Sequence, residues 1–198
     1  MTDLNSTLFN IKLNTGSPRE GSLLVAEPFL KENCFNHAVI LLIDYGKGDT
    51  SMGLVLNKGS KYNFSELFPA MEVDVPIYAG GPVGNDRLFY LHTLGDIIKE
   101  SVEIAPGLWV GGDFDDVLEY LRAGYPTEGV IRFFLGYSGW QPGQLEEEIS
   151  NDVWVVVNDY DATEVLSDDE DTTWHRIVRG LGDKFRGWKY HPMDVSSN

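Results

Sequence analysis

Cysteine is nearly absent from this chain. Its 198 residues contain a single cysteine, Cys34. One cysteine excludes both a disulfide within the chain and a cysteine-rich zinc site, and it is typical of proteins in a reducing compartment. The first six residues include an acidic residue where a signal peptide has basic ones, and no apolar core follows them. We therefore expect a cytoplasmic protein.

Positive charge is also scarce. The chain has 15 lysines and arginines against 31 aspartates and glutamates, which gives a formal net charge of -16. The negative charge of the chain repels a phosphate backbone, and proteins that bind nucleic acid through electrostatic attraction need a basic face. We therefore expect no direct contact with nucleic acid. The place to look for an exception is a group of basic residues near the C-terminus: Arg176, Arg179, Lys184, Arg186 and Lys189.

Long hydrophobic runs are missing as well. The longest aliphatic run covers residues 39 to 43, whereas a membrane-spanning helix needs about 20 apolar residues. Hydrophobic residues at 42% and charged residues at 23% are ordinary for a folded domain, and the length suits one hydrophobic core. We expect an N-terminal arm over residues 1–20, one domain over 21–190 without membrane contact, and a flexible tail over 191–198.

Strand patterns are frequent in the chain. Runs of apolar and β-branched residues, bounded by turn residues, predict strands over 22–26, 38–43, 52–56, 75–79, 88–91, 108–110, 130–135 and 153–157. The last two runs contain almost no charge. We therefore expect both of them in the middle of a sheet, with both faces covered.

Helices are predicted from capping residues and apolar spacing. A short helix follows Asn63, and a longer one follows Asp113 and ends at Gly124. A third helix begins with Pro142 in its first turn, and the last begins at about Thr173. Strands interspersed with helices, with several short connections between strands, predict an α+β (mixed α/β) single domain and not a regular doubly wound sheet.

Six fragments occur in an order that is typical of one bacterial family. They are Gly21-Ser22-Leu23-Leu24-Val25-Ala26-Glu27-Pro28, Gly53-Leu54-Val55-Leu56-Asn57, Gly80-Gly81-Pro82-Val83, Leu91-His92, Gly136-Tyr137-Ser138-Gly139-Trp140 and Gly143-Gln144-Leu145-Glu146-Glu147-Glu148-Ile149. In this order they resemble the AlgH/YqgE family over residues 20 to 185. The resemblance implies a cytosolic single-domain protein with a branched mixed sheet surrounded by helices. The family is historically labelled a transcriptional regulator and has no established biochemical activity.

Polar and aromatic residues of these fragments suggest a binding surface. Each lies at a predicted strand end or in the first turn of a helix, and the set is Asn57, Gly80, Gly81, His92, Tyr137, Trp140, Gln144 and Glu148. Gln144 and Glu148 share one helix face. His92 follows a predicted strand, and we expect its ring to lie close to Glu148 or Asn57. We predict a shallow cleft that binds a small molecule or a protein, with an indirect regulatory effect. The alternative, in which Tyr137 and Trp140 are core rings and the glycines permit close packing, stays open.

An enzymatic alternative depends on Ser138. This serine lies between a predicted strand and a predicted helix, and Asp161 and His175 follow it in the order of a hydrolase triad. The motif itself does not fit, because Trp140 occupies the position where a nucleophile elbow has its second glycine. In the family that the chain resembles, alanine is common at this position. We therefore expect Ser138 to be a turn residue that hydrogen-bonds its own backbone.

No metal or cofactor is expected. The four histidines have no metal-binding spacing, and Cys34 is the only thiol available to complete a site. The acidic run over residues 168–171 lacks the glycine and the ligand alternation of a calcium loop, so we expect a solvated loop before the last helix. A DNA-binding transcriptional regulator is a third interpretation, and the acidic charge disfavours it.

Overall fold

A ten-stranded sheet and four α-helices form the described part of the chain, which comprises residues 16–32, 34–46, 50–161, 165–166 and 170–190 of a computed structural model. The strands are β1 Leu23–Ala26, β2 Val39–Asp44, β3 Ser51–Val55, β4 Gly59–Asn63, β5 Pro76–Ala79, β6 Val83–His92, β7 Val102–Ala105, β8 Leu108–Val110, β9 Ile131–Trp140 and β10 Trp154–Val157. The helices are α1 Phe64–Leu67, α2 Phe114–Arg122, α3 Gln144–Ser150 and α4 Glu170–Gly180. Two 3-10 turns, Asp183–Phe185 and Trp188–Tyr190, follow α4.

The sheet branches at β9. Its main strand order is β10-β1-β2-β3-β9-β6-β8-β7, and β4 and β5 form a side branch. One edge of β9 pairs with antiparallel β6. The other edge is divided, since residues 133–135 pair with parallel β5 and residues 138–140 pair with antiparallel β3. The sheet is therefore mixed, with a single parallel pairing among the described strands.

Apolar side chains cover both faces of this sheet. On one face, Leu41 and Phe134 pack in a cluster that also contains Trp174 of α4. The opposite face carries two clusters, one around Leu145 of α3 and one around Val117 of α2. The α+β class is confirmed. The expectation of a sheet surrounded by helices is too strong, because the domain is rich in strands and its helices are few and short.

Local capping signals place the helices well. The backbone N–H of Asn63 donates to Glu66 Oε2 over 2.7 Å at the start of α1, and Asp113 Oδ1 accepts from the backbone N–H of Asp115 over 2.9 Å at the start of α2. Gly124 follows α2 with φ of 72°, a left-handed conformation that suits a helix end. The third helix differs slightly, since it begins at Gln144 and leaves Pro142 outside.

Two strands were missed and one was placed wrongly. β4 is polar, and β7 has only four residues and is interrupted by Glu103, so neither gives a continuous apolar run. β10 is buried as expected, but it lies at the end of the strand order in the described part of the chain and not in the middle. Its burial comes from apolar clusters on both faces, and such clusters can cover an edge strand as well as a central one.

The chain ends are described only in part. Residues 1–15 of the predicted arm and the predicted tail over 191–198 lie outside the described residues, as do residues 168 and 169 of the acidic run. Residues 16–20 contact the body, because the carbonyl of Ser17 accepts a hydrogen bond from Asn158 Nδ2 over 3.1 Å. None of the helices in the described ranges has the length and apolar character that crossing a bilayer requires.

Candidate functional site

The Glu148 carboxylate joins α3 to two strands. Its Oε2 atom accepts hydrogen bonds from the indole Nε1 atoms of Trp140 in β9, over 2.8 Å, and Trp154 in β10, over 2.6 Å. Its Oε1 atom accepts from Gln144 Nε2 over 2.8 Å. Both indoles are buried, with exposures of 4% for Trp140 and 2% for Trp154. The carboxylate therefore satisfies two N–H groups that the core would otherwise leave without an acceptor.

Three residues of the predicted surface thus lie together, but they do not form an open cleft. Trp140 is a core ring, Glu148 is half-buried, and Gln144 is exposed. Gln144 Oε1 also accepts from the backbone N–H of Gln141 over 3.0 Å. Sequence reasoning missed Trp154, although a tryptophan that starts a strand just after an acidic helix was an available signal.

Gly80 and Gly81 lie where the sheet branches. The Gly80 N–H donates to the Leu135 carbonyl over 2.8 Å, and the Gly80 carbonyl accepts from the Val55 N–H over 2.8 Å, so this residue bridges β9 and β3. A Cβ atom on Gly80 would lie 2.3 Å from the Gly136 carbonyl oxygen, and one on Gly81 would lie 2.2 Å from the Tyr137 carbonyl carbon. Both glycines therefore permit close backbone contact.

Tyr137 packs on the opposite face of the sheet from Trp140. Its ring lies 5.8 Å from that of Phe89, and the Arg87 guanidinium lies 5.9 Å from the Tyr137 ring centre. The side chain belongs to the apolar cluster of the α4 face, whereas Trp140 belongs to a cluster of the other face. The two rings therefore cannot line one cleft.

Asn57 holds the end of the connection between β1 and β2, next to the first residue of β2. Its Oδ1 atom accepts from the Val39 N–H over 2.8 Å, and its Nδ2 atom donates to the His37 carbonyl over 2.9 Å. The side chain is 5% exposed. Its oxygen and nitrogen are thus both used by the backbone, which is a structural role.

His92 is fully buried at the end of β6, and its ring nitrogens bond to the backbone. Nε2 lies 2.9 Å from the Gly111 carbonyl oxygen, and Nδ1 accepts from the Leu94 N–H over 3.1 Å. The ring is therefore neutral, with its proton on Nε2. Burial lowers the pKa of His92 from 6.5, and the bond to Gly111 opposes this shift. No hydrogen bond joins His92 to Glu148 or Asn57 within the described residues.

The His92 environment predicts a pH dependence of stability. The unfolded chain takes up the proton at the ordinary pKa while the folded protein resists it, so the contribution of His92 is complete above pH 6.5 and is lost as the pH falls below that value. The slope reaches at most about 1.4 kcal/mol per pH unit. Denaturant unfolding of the parent and of His92→Gln between neutral and mildly acidic pH measures it. An unchanged slope in the variant would assign the effect to other groups.

Ser138 lies within β9 and not in a turn. It pairs with Gly53 and is 1% exposed, and its hydroxyl has no hydrogen-bond partner in the described part of the chain. The expected bond to its own backbone is therefore absent. The His175 ring stacks 6.0 Å from that of His37 and packs against Trp174, on the α4 side. The structure thus provides no Ser138–His175 pair for a hydrolase.

Replacing Ser138 with alanine is expected to stabilise the protein by about 0.5 to 1 kcal/mol, since a buried hydroxyl without a partner is removed. Ser22→Ala is a matched control. Ser22 is also buried, but its hydroxyl donates to Asn158 Oδ1 over 2.5 Å, so this change should destabilise. Chemical denaturation of both variants distinguishes the two environments. A loss of stability in Ser138→Ala would show that the hydroxyl has a partner.

An open groove of about 390 Å³ lies between three segments that are distant in sequence. Its lining residues are Arg19, Glu20, Gly21, Ile104, Ala105, Pro106, Asn158, Asp159 and Tyr160. The Tyr160 hydroxyl donates to the Gly21 carbonyl over 2.5 Å. Gly21 has φ of 78°, and a Cβ atom there would lie 2.1 Å from the Ile104 carbonyl oxygen. Hydrogen bonding and close packing therefore fix the groove walls.

Electrostatics within this groove are mixed. Burial raises the pKa of Tyr160 to about 12, and the nearby positive charge of Arg19 acts in the opposite direction. The Tyr160 hydroxyl therefore keeps its proton at neutral pH. Arg19 and Asp159 are both exposed and bring opposite charges to the rim. The groove was not predicted from the sequence, because Gly21 is its only lining residue within a motif fragment and its three segments meet only in the fold.

Residues 23–186 match a family model described as DUF179, AlgH-like. The chain belongs to this family. A UPF0301 protein of Bacteroides fragilis is 37% identical to it over 198 residues, covering 99% of this chain and 100% of that protein. A UPF0301 protein of Parabacteroides distasonis is 40% identical over 194 residues, covering 96% and 97%. The resemblance to the AlgH/YqgE family is thus confirmed.

Two solved structures share the fold. The solution structure of AlgH from Pseudomonas aeruginosa matches with a TM-score of 0.65 and 26% identity, covering 90% of this chain and 98% of that one. A Corynebacterium diphtheriae protein matches with a TM-score of 0.72 and 21% identity, covering 89% and 94%. The branched sheet of this AlgH-like chain therefore has experimental counterparts.

In the described residues, no three His, Cys, Asp or Glu side chains are grouped to hold a metal ion.

Proposed function

We propose that this AlgH-like protein is a binding module, and that its ligand site is the groove between residues 19–21, 104–106 and 158–160. The observation that carries the proposal is a groove of about 390 Å³ in which a hydrogen bond from Tyr160 to the Gly21 carbonyl joins two of the lining segments. This volume is within the range of about 300 to 1,000 Å³ that is usual for small-molecule sites. Fixed walls favour binding, because little conformational freedom remains to be lost.

The lining of the groove indicates the class of ligand. Arg19 offers a guanidinium for an anionic group, and Asp159 offers a carboxylate for a cationic one. Pro106 and Ala105 add a small apolar wall. A small molecule with charges of both signs, such as a free amino acid, complements this arrangement.

The residues predicted from sequence have supporting roles in this proposal. Glu148 holds α3 on the strands, and Gly80 and Gly81 permit the branch, so these residues maintain the scaffold on which the groove depends. Gln144 remains exposed for a contact with a partner. The proposal includes a cytoplasmic location and an indirect regulatory role, in which ligand binding changes the contacts of the module with another protein.

Amide spectra of ¹⁵N-labelled protein, titrated with a panel of free amino acids at millimolar concentration, test this proposal. We expect saturable shifts at the amides of Gly21, Ala105 and Asp159. Arg19→Gln and Asp159→Asn keep the side-chain size approximately while removing one charge each, and each should weaken binding about tenfold. Asp115→Asn is the matched control, because Asp115 is exposed on α2 and outside the groove.

Two results would contradict the groove as the site. One is a set of saturable shifts that lies elsewhere, for example around Tyr137 and Arg87. The other is a ligand affinity that is the same in Arg19→Gln and Asp159→Asn as in the control Asp115→Asn. Absence of any saturable shift across the panel would reject the proposed ligand class.

A further inference from the structure

Positive charge is concentrated in the last described segment. Residues 174–190 contain five lysines and arginines and one acidic residue, whereas the rest of the chain contains ten basic and thirty acidic residues. The segment thus carries a formal charge of +4 on a protein with a net charge of -16. Opposite charges would ordinarily be distributed together on a surface, so this separation defines a polarised molecule.

The cations of this segment are available to a partner. Arg179, Lys184 and Arg186 are exposed, and within the described part of the chain their side chains make no hydrogen bond or ion pair. We call these three residues, together with Tyr190, the basic face. Tyr190 is 80% exposed and adds an aromatic ring to the same segment.

The segment that carries the basic face is attached firmly to the domain. Phe185 is 4% exposed, and its ring lies 5.1 Å from that of Trp188. The Trp188 ring stacks in turn on Trp174, at 6.2 Å and an interplanar angle of 9°. The Trp174 indole donates to the Ala26 carbonyl over 2.9 Å, which connects α4 to β1. The cations are therefore presented on a fixed support.

We propose that the basic face docks a short acidic segment of a partner protein. Charge complementarity selects an anionic partner, because these three cations have no partner among the described residues and belong to a molecule that is otherwise acidic. Carboxylates can pair with the guanidinium groups of Arg179 and Arg186 through two hydrogen bonds each. An apolar or aromatic residue of the partner can pack on the exposed Tyr190 ring of the same segment.

The small extent of the basic face favours a peptide over nucleic acid. Arg179 to Arg186 are eight consecutive residues, which span less than about 29 Å even when the chain is fully extended. Duplex DNA carries one charge per about 1.7 Å and one turn covers about 34 Å, so a bound duplex would extend onto the acidic remainder of the chain. A short acidic peptide ends before it meets that repulsion.

Fluorescence anisotropy with the full chain tests this docking surface. The probe is a labelled peptide of glutamates and aspartates around one phenylalanine, and the matched probe has glutamine and asparagine at the same positions. We expect salt-sensitive binding of the acidic peptide alone. The combined variant R179E/K184E/R186E should weaken it by at least about tenfold. The control K31E/K61E/R122E makes the same charge change at exposed cations elsewhere.

Three outcomes would overturn the inference. The first is failure of the acidic peptide to bind at low salt. The second is an equal loss in both triple variants, which would show that net charge alone governs binding. The third is tighter binding of single-stranded DNA or of anionic lipid vesicles than of the peptide, with the loss confined to R179E/K184E/R186E. Circular dichroism of each variant confirms that it is folded.

Discussion

Replacing Glu148 with alanine is expected to lower the free energy of unfolding by about 3 to 5 kcal/mol. The Glu148 carboxylate accepts from the buried indoles of Trp140 and Trp154, and alanine leaves both N–H groups without an acceptor. A buried donor without a partner costs about 1 to 3 kcal/mol. Loss of the tether between α3 and the two strands adds to this cost. Denaturant unfolding followed by circular dichroism measures the change.

Two further substitutions separate hydrogen bonding from charge at Glu148. Glu148→Gln keeps one acceptor oxygen for the indoles but points an amide at the Gln144 amide, so we expect a loss of about 1 to 2 kcal/mol. Gln144→Ala removes an exposed contact and should cost less than about 1 kcal/mol. A Glu148→Ala variant that is as stable as Gln144→Ala would show that the indoles do not depend on this carboxylate.

Gly81→Ala is expected to destabilise the domain by about 3 to 5 kcal/mol, or to prevent folding. A Cβ atom at Gly81 would lie within 2.4 Å of three backbone atoms of β9, belonging to Tyr137 and Ser138. Backbone cannot move aside as a flexible side chain does, so the end of β5 would separate from β9. The φ of 154° adds strain for any residue with a side chain. Thermal and denaturant unfolding both report the loss.

Gly107→Ala is the matched control for Gly81→Ala. Gly107 also has positive φ, at 76°, but a Cβ atom there would meet nothing within 4 Å. Its substitution tests conformational strain without a clash, and we expect a cost of about 1 to 2 kcal/mol. Equal losses in the two variants would mean that dihedral strain explains the Gly81 effect, and that close approach at the branch contributes nothing.

The sequence predicts features that depend on neighbouring residues. Asn63 and Asp113 cap their helices as expected, since a cap is formed by residues within one turn. Gly124 ends α2 for the same local reason. The cluster of Trp140, Gln144 and Glu148 was also within reach, because a helix that directly follows a strand keeps these residues close.

Features that depend on distant pairings were not predictable in this way. The position of β10 at a sheet edge is set by its pairing with β1, and no local pattern distinguishes a covered edge strand from a central one. The continuation of β9 through Ser138 results from its pairing with β3, which overrides the turn tendency of the glycines around it. His92 was expected to meet Glu148 or Asn57 because it follows a strand, but its ring nitrogens bond to the backbone of Gly111 and Leu94.

Pairing between β1 and β10 has a consequence for synthesis of the chain. Leu23 to Ala26 leave the ribosome early, but their partners Trp154 to Val157 are made 131 residues later. At about 5 to 20 residues per second, one edge of β1 waits roughly 7 to 26 s for its neighbour. During that time β1 can pair with β2 along one edge, while its other, apolar edge stays exposed. Ribosome-associated chaperones are therefore expected to bind this chain until its last third has emerged.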